Sequence, residues 1–315
     1  MASRKDRRML QRAISLPFPL SPAARTMHTL LFLLASISIL SMQLCAQQGN
    51  PSGDPKSWAE DAAHNELKVI QFDRFYLRYR AHIANARGVQ LRDVLETRDG
   101  TVARLIARDD RPLTAEEDAA ERSRLQAMLD SPAAFAKHVK GDVTGKKLAV
   151  DMVKMMPDAM IYTYVPGQPQ TGRPGPHAPE VVLDFAPNPR WSPPNLYAEA
   201  LTGFKGRIWI DSESRILVRL DGTIFQGVNF GFGMIGHIYP GGRLMLEQTN
   251  AGQQHWIFSH FVEHLTVRAL MVKTLHENSE ITSSEFQMVP AMSYQEAIHT
   301  LLETPLPTHI AASGH

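Results

Sequence analysis

Residues 89–108 read VQLRDVLETRDGTVARLIAR, two alternating segments joined at Arg98, Asp99 and Gly100. Asp-Gly between two segments of period two marks a β-hairpin, because glycine takes positive φ at no steric cost. In the second segment Val102 and Ile106 share a side with Arg104 and Arg108, while Ala103, Leu105 and Ala107 share the other. Upstream, Phe75, Leu77 and Tyr79 alternate with Arg74, Tyr76, Arg78 and Arg80, the pattern of a strand with one buried face. Before that, Trp58 to Ile70 forms a short amphipathic helix with Trp58, Ala62 and Val69 on its apolar side.

Downstream of the hairpin, Thr114 is an N-cap, Glu117 completes a capping box, and Glu116 and Asp118 suit the positive end of the helix dipole. Two further helical stretches follow, Pro132 to Val139 and Lys146 to Met156, then strands at Ile161 to Val165 and Val181 to Ala186. Residues 187–194 (PNPRWSPP) hold four prolines, which excludes regular structure there. A short helix at Asn195 to Leu201 precedes strands at 206–211, 216–225 with a bend at Asp221-Gly222, 243–249, 255–274 and 284–289. Tyr294 to Glu303 closes the chain as an amphipathic helix. Clustered helices between hairpin-linked strands indicate a single, mainly antiparallel α+β domain rather than a βαβ fold.

The N-terminus stands apart from this pattern. Arg4, Lys5, Arg7, Arg8, Arg12 and Arg25 precede an uncharged apolar run from Leu30 to Leu44, and small or polar residues follow at Ala46, Gln47 and Gln48. This is the layout of a secretory signal peptide, and a run of that length falls short of the roughly 20 residues a spanning helix needs. The expected division is 1–46 signal peptide, 47–57 disordered lead-in, 58–303 domain and 304–315 flexible tail. Met27 is an alternative start. Gln43 and Leu44 do not fit a lipidation site at Cys45, so no anchor is expected there.

Removal of 1–46 takes away six basic residues, one acidic residue and the single cysteine. The exported chain then has no disulfide and no thiolate chemistry and must rest on its hydrophobic core. Its 27 basic residues against 31 acidic, without a long basic run, argue against a nucleic-acid partner.

Two motifs look chemical. Gly231, Gly233 and Gly236 spell GxGxxG, but His237 to Gly242 cannot supply the helix that a dinucleotide needs; a glycine-rich bend between strands is the expected reading. His260, Glu263 and His264 spell HxxEH, a zinc-hydrolase motif that works only on a helix. The flanking residues are rich in β-branched and aromatic side chains. In a strand the two imidazoles stand about 13 Å apart at ~3.3 Å per residue, so a solvated strand face is expected. No cofactor and no metal are implied, and no GxSxG or P-loop occurs.

From Val181 the chain carries VLDFAPNPRWSPPN (182–195), GRIWID (206–211), VRLDGTI (218–224), VNFGFGMIGHIYPGGRL (228–244) and HWIFSHFVEHLTVRALMVKT (255–274). This series resembles exported bacterial proteins of the outer membrane lipoprotein-sorting, LolA/LolB-like, type, over roughly 70–302 and best over 181–275. The resemblance implies a curved antiparallel half-barrel with helices covering its concave face, and an apolar cavity for acyl chains. It also implies a periplasmic, non-enzymatic carrier whose partner is a lipid or acylated lipoprotein, with an envelope protein as a further partner. The alternatives are an envelope scaffold or interaction protein that lacks the cavity, and a zinc hydrolase using residues 260–264.

Within such a half-barrel, alternation nominates a lining. Its strand candidates are Phe75, Leu77 and Tyr79; Val181, Leu183 and Phe185; Ile208 and Ile210; and Ile216, Val218 and Leu220. Most of these are expected to be core. Met152, Met155 and Met156 from the covering helix add an adaptable surface, and Trp191 and Tyr197 beside the Pro-rich loop are rim candidates.

Overall fold

The computed structural model describes residues 53–72, 75–167, 180–230, 235–252, 255–269 and 273–307. The expected signal peptide lies outside them, as does most of the GxGxxG segment. Gly236 is described and opens a short strand.

Four α-helices and thirteen strands are described: α1 (Pro55–Phe72), β1 (Tyr76–Asn85), β2 (Gly88–Thr97), β3 (Gly100–Arg108), β4 (Arg111–Pro112), α2 (Ala115–Asp130), α3 (Pro132–Ala159), β5 (Met160–Tyr164), β6 (Glu180–Pro187), β7 (Phe204–Asp211), β8 (Leu217–Ile224), β9 (Val228–Phe230), β10 (Gly236–Ile238), β11 (Arg243–Asn250), β12 (Trp256–Ala269), β13 (Lys273–Val289) and α4 (Tyr294–Glu303). A 3-10 helix spans Tyr197–Gly203. The strands form one antiparallel sheet in the order β4-β3-β2-β1-β13-β12-β11-β8-β7-β6-β5, with β10 on β12 and β9 on β10. The sheet is curved and not closed into a barrel. The long crossing in this order places β13 beside β1, so the C-terminal half of the chain pairs with its beginning. Register shifts interrupt the ladders at β1/β13, β2/β3, β7/β8 and β11/β12. Such bulges bend a strand and increase its twist, and Glu285 at φ 56° sits in the β13 bulge.

Where the helices begin follows local chemistry. Thr114 Oγ1 accepts the Glu117 N–H at 3.2 Å and the Glu117 carboxylate accepts the Thr114 N–H at 2.9 Å, the expected capping box. Ser293 and Glu296 repeat it at α4. α1 starts at Pro55, inside the stretch expected to be disordered. Asp54 explains this, since its side chain accepts the Lys56 N–H and its carbonyl the Ser57 N–H, with proline at the first helical position. The strand expected from the alternation of residues 74–80 begins at Tyr76, after α1 has continued through Phe72. The two helices expected between 132 and 156 are one, since Gly141 and Gly145 stay helical within α3. Asp221-Gly222 is no bend but the interior of β8. Gly222 faces Gly206 across the ladder, and a Cβ on Gly222 would collide with the Phe204 ring. The segment expected as a strand over 255–274 divides into β12 and β13.

Two apolar clusters hold the sheet. The first unites Trp58, Ala59 and Ala62 of α1 with Val181, Leu183 and Phe185 of β6, Ile208 and Ile210 of β7, and Leu220 of β8; Met152, Met155 and Met156 of α3 pack against it. This defines the inner face at the β5–β8 end. The second unites Leu125 and Met128 of α2, Phe135 of α3 and Tyr294, Ile298 and Leu301 of α4 with Leu95 and Val102 of the β2/β3 pair. Leu95 and Val102 alternate with Val94 and Ala103, so α2 and α4 lie on the opposite, outer face at that end. α3 joins the two clusters. Its first turns stack Phe135 on Tyr294 at 3.7 Å, Val139 closes on Gly100 at the hairpin turn, and its last turns reach the first cluster. At 28 residues it is about 42 Å long. Its middle is exposed, Val143 at 65% and Leu148 at 40%.

Arg104 ties the β3 end together. It is 1% exposed, and its guanidinium donates to the carbonyls of Leu301 and Thr304 at 2.6 and 2.7 Å and to Asp118 at 2.7 Å. A cation from β3 thus caps the C-terminus of α4, which has no basic residue in its own last turn. Thr304, expected in the flexible tail, also accepts from Arg78 and donates to Thr300.

Candidate functional site

Register across ten strands aligns one row of side chains on the inner face: Tyr164, Leu183, Ile208, Leu220, Leu246, Phe261, Ile281, Ile83, Gln90 and Arg108. Seven consecutive members are aliphatic or phenylalanine. Their cover is unequal. Leu183, Ile208 and Leu220 are at most 4% exposed beneath α1 and α3, whereas Leu246, Phe261, Ile281 and Ile83 are only half-buried. The described helices pack chiefly on β2, β3, β5 and β8, so among the described residues the stretch from β11 to β1 is the less covered part of the row, with α1 reaching β11 through Glu66 and Gln248. Leu246 itself packs against the first cluster, as do Leu244 and Leu265 beside it, so the stretch opens progressively from β11 to β1. At ~4.8 Å per strand the open stretch from Leu246 to Ile83 measures about 14 Å.

The nominated residues divide accordingly. Leu183, Phe185, Ile208 and Ile210 are between 0% and 4% exposed and belong to the packed core with Met152, Met155, Met156 and Trp191 around them. Leu77 is buried and Tyr79 half-buried on β1, outside that cluster, with the Tyr79 ring 5.8 Å from Phe286. Phe75 precedes β1, is 44% exposed and meets the His255 ring edge-on at 5.5 Å. Tyr197 is 63% exposed at the start of the 3-10 helix. Val218 is 3% exposed, on the same buried parity as Leu220, and falls at the β7/β8 bulge that pairs Ile210 with Leu217. Sequence reasoning missed Leu246, Phe261, Ile281 and Ile83. Their strands alternate, but only the ladder aligns them with Leu183.

α1 brings one ionisable group to the same face. Glu66 Oε1 accepts from Gln248 Nε2 at 2.8 Å and from the Leu217 N–H at 3.2 Å. Burial pushes its carboxyl up to about 7, against the lowering effect of those two bonds. Farther along β12, Glu263 is half-buried, and burial together with the charge of Glu277 raises its carboxyl. HxxEH is therefore split by the strand. Glu263 shares the inner face with Phe261, while His260 points outward and contacts Glu280 at 2.9 Å. Among the described residues no group of three or more His, Cys, Asp or Glu side chains could hold a metal. That arrangement corrects the zinc-hydrolase alternative, because strand geometry parts the ligands from the base.

The outer face of β5–β8 mixes ion pairs with apolar side chains, Ile161 being 50% exposed there. Its shallow depression of about 600 Å³ is lined by Thr163, Asp184, Arg207, Trp209 and Asp221, among others. Arg207 chelates Asp184 at 2.7 and 3.2 Å, and Arg219 and Arg243 both engage Asp221. Those charges are mutually satisfied, and the Arg219 guanidinium lies 4.8 Å over the Trp209 ring. No described helix is long and apolar enough to cross a membrane.

No protein family matches the chain, and no curated protein does. Among solved structures it is similar to a domain assigned to an outer membrane lipoprotein-sorting protein from Vibrio parahaemolyticus, at 10% identity and a TM-score of 0.32, over 78% of this chain and 100% of that one. It is also similar to a DUF1329 family protein from Desulfovibrio piger, at 11% identity and a TM-score of 0.30, over 80% of this chain and 100% of that one.

Proposed function

We propose that the chain is an exported, periplasmic, non-enzymatic module that binds the acyl chain of a lipid or lipoprotein on the inner face of its sheet. The observation that carries this reading is the row of seven apolar side chains whose β11–β1 part stays half-buried and is sealed by no described helix. An apolar strip left half-open in an exported protein marks a binding surface rather than a core. The Arg-rich leader ahead of the Leu30–Leu44 run supports export. The methionines of α3 at the closed end supply side chains that can repack around a bound chain.

A second reading, an envelope scaffold without a ligand, draws on the full burial of Leu183, Phe185, Ile208 and Ile210. The two readings part in one experiment. The protein is produced in a bacterial periplasm, purified without detergent and weighed by native mass spectrometry, and solvent extracts are then analysed for lipid. A stoichiometric acyl adduct that Phe261→Asp removes while the circular dichroism spectrum is kept supports carriage. A bare mass that stays unchanged after incubation with lipids and lipopeptides leaves the scaffold reading.

A further inference from the structure

The apolar row does not end in solvent. After Ile83 it passes to Gln90 on β2 and Arg108 on β3, and Arg92, two residues from Gln90, shares their face. Arg92 donates from Nε and Nη2 to Gln90 Oε1 at 3.1 and 2.8 Å. Among the described residues that neutral amide is its hydrogen-bond partner, and no carboxylate pairs with it. Arg108 Nε is buried without a hydrogen bond, and its nearest carboxylate, Glu117 at 3.7 Å, is already held bidentately by Arg111 at 2.7 and 2.9 Å. Arg124 stands nearby but is spent on Glu121 and the Ala103 carbonyl, and Glu121 in turn accepts the Leu105 N–H. Burial, with the charges of Arg124 and Arg108, lowers the pKa of Arg92, and Glu121 opposes this. On the other flank of the apolar row, toward the β12–β13 turn, stand the carboxylates of Glu263 and Glu277.

A half-buried guanidinium satisfied by one amide oxygen keeps donors in reserve, and a fork of this kind suits an oxyanion bidentately. From this juxtaposition we propose that Arg92 and Arg108 bind the anionic oxyacid head, phosphate or carboxylate, of an amphiphile whose chain lies along Ile83, Ile281, Phe261 and Leu246. The proposal rests on the acyl-binding reading above and adds a head group and a direction. The anion sits at β2–β3, the chain runs toward β11, and Glu263 and Glu277 repel the reverse orientation.

The test is isothermal titration of the full exported chain with four probes: dodecyl phosphate, dodecanoate, the uncharged monododecanoylglycerol and inorganic phosphate. The expected result is that both anionic amphiphiles bind at least about tenfold tighter than the neutral one. Arg92→Gln should erase that preference while leaving the affinity for monododecanoylglycerol unchanged. In the wild type, should Arg92→Gln fail to fold, the preference must shrink as salt rises through the range where the Debye length falls from about 10 to 3 Å. Equal affinity for charged and neutral amphiphiles, or a preference indifferent to salt, overturns the head-group site and leaves acyl binding standing. Inorganic phosphate binding as tightly as dodecyl phosphate makes this a free-oxyanion site and overturns the link to a chain. No binding of any amphiphile overturns both readings.

Discussion

The inner faces of β6–β8 and of β11–β1 carry the same kind of residue in the same row, yet Leu183, Ile208 and Leu220 are sealed while Leu246, Phe261, Ile281 and Ile83 are half-open. Side-chain chemistry does not separate the two regions. What separates them is the extent of cover: α1 and the last turns of α3 pack on the first, whereas at the second α1 meets β11 through Glu66 and Gln248 and the four row residues stay half-buried. The comparison teaches that an apolar strand face is a core or a binding surface according to what the rest of the chain places on it.

The sharpest way to break the comparison is one substitution made at both ends. Leu183→Asp buries an uncompensated charge in a packed site and removes about 2–5 kcal/mol of packing besides. It is expected to prevent folding, seen as loss of a cooperative thermal transition. Phe261→Asp leaves its carboxylate reachable by water and should cost no more than about 2 kcal/mol. Equal losses at the two positions would mean that the β11–β1 stretch is core as well.

Arg104 tests the opposite corner, where a polar group replaces an apolar seal. Arg104→Met leaves two carbonyls of α4 and the Asp118 carboxylate without their donor. A loss of about 3–5 kcal/mol in urea denaturation is expected. α4 should show raised amide exchange before the β5–β8 end does.

Glu66 provides a pH handle on the closed end. Burial pushes its folded pKa up to about 7, above the ordinary carboxylate value of 4.5, so the folded state holds the proton more tightly than the unfolded one. Its contribution is fully present below about pH 4.5 and is lost as pH rises through about 7, a swing of roughly 3 kcal/mol. Glu66→Gln should flatten that part of the stability profile and stabilise the protein at pH above about 7. An unchanged slope would show that α1 does not bury this carboxyl against β8 and β11.

The smallest effect belongs to the span between the clusters. A Cβ on Gly145 meets nothing within 4 Å, so Gly145→Ala should stabilise α3 by about 0.5–1 kcal/mol. Circular dichroism and thermal melting check the gain, and a loss would show that the middle of α3 departs from helix.

Much of this was readable in advance where short-range physics decides. Asp99-Gly100 set the β2/β3 turn, Thr114 with Glu117 set the start of α2, and the amphipathic period set α4 from Tyr294 to Glu303. The misses have physical causes. The glycines at 141 and 145 argue for a break that packing at both ends of α3 overrides. Asp221-Gly222 mimics a turn, but glycine is there for the Phe204 ring. Asp54 before Pro55 was a legible cap that the Pro/Gly composition of 47–57 concealed.

The candidate site was half legible for the same reason. Alternation identifies which side chains of one strand travel together, and so the sequence by itself determined the antiparallel α+β class and the strand faces. It could not determine that β13 returns to pair with β1. Nor could it show that Ile83 continues a row begun at Leu183, or that Gln90, Arg92 and Arg108 stand at its end. Those depend on ladders between residues far apart in the chain and on where two helices come to rest, which only the tertiary structure decides, because the loop-closure entropy and the burial that settle them involve the whole chain at once.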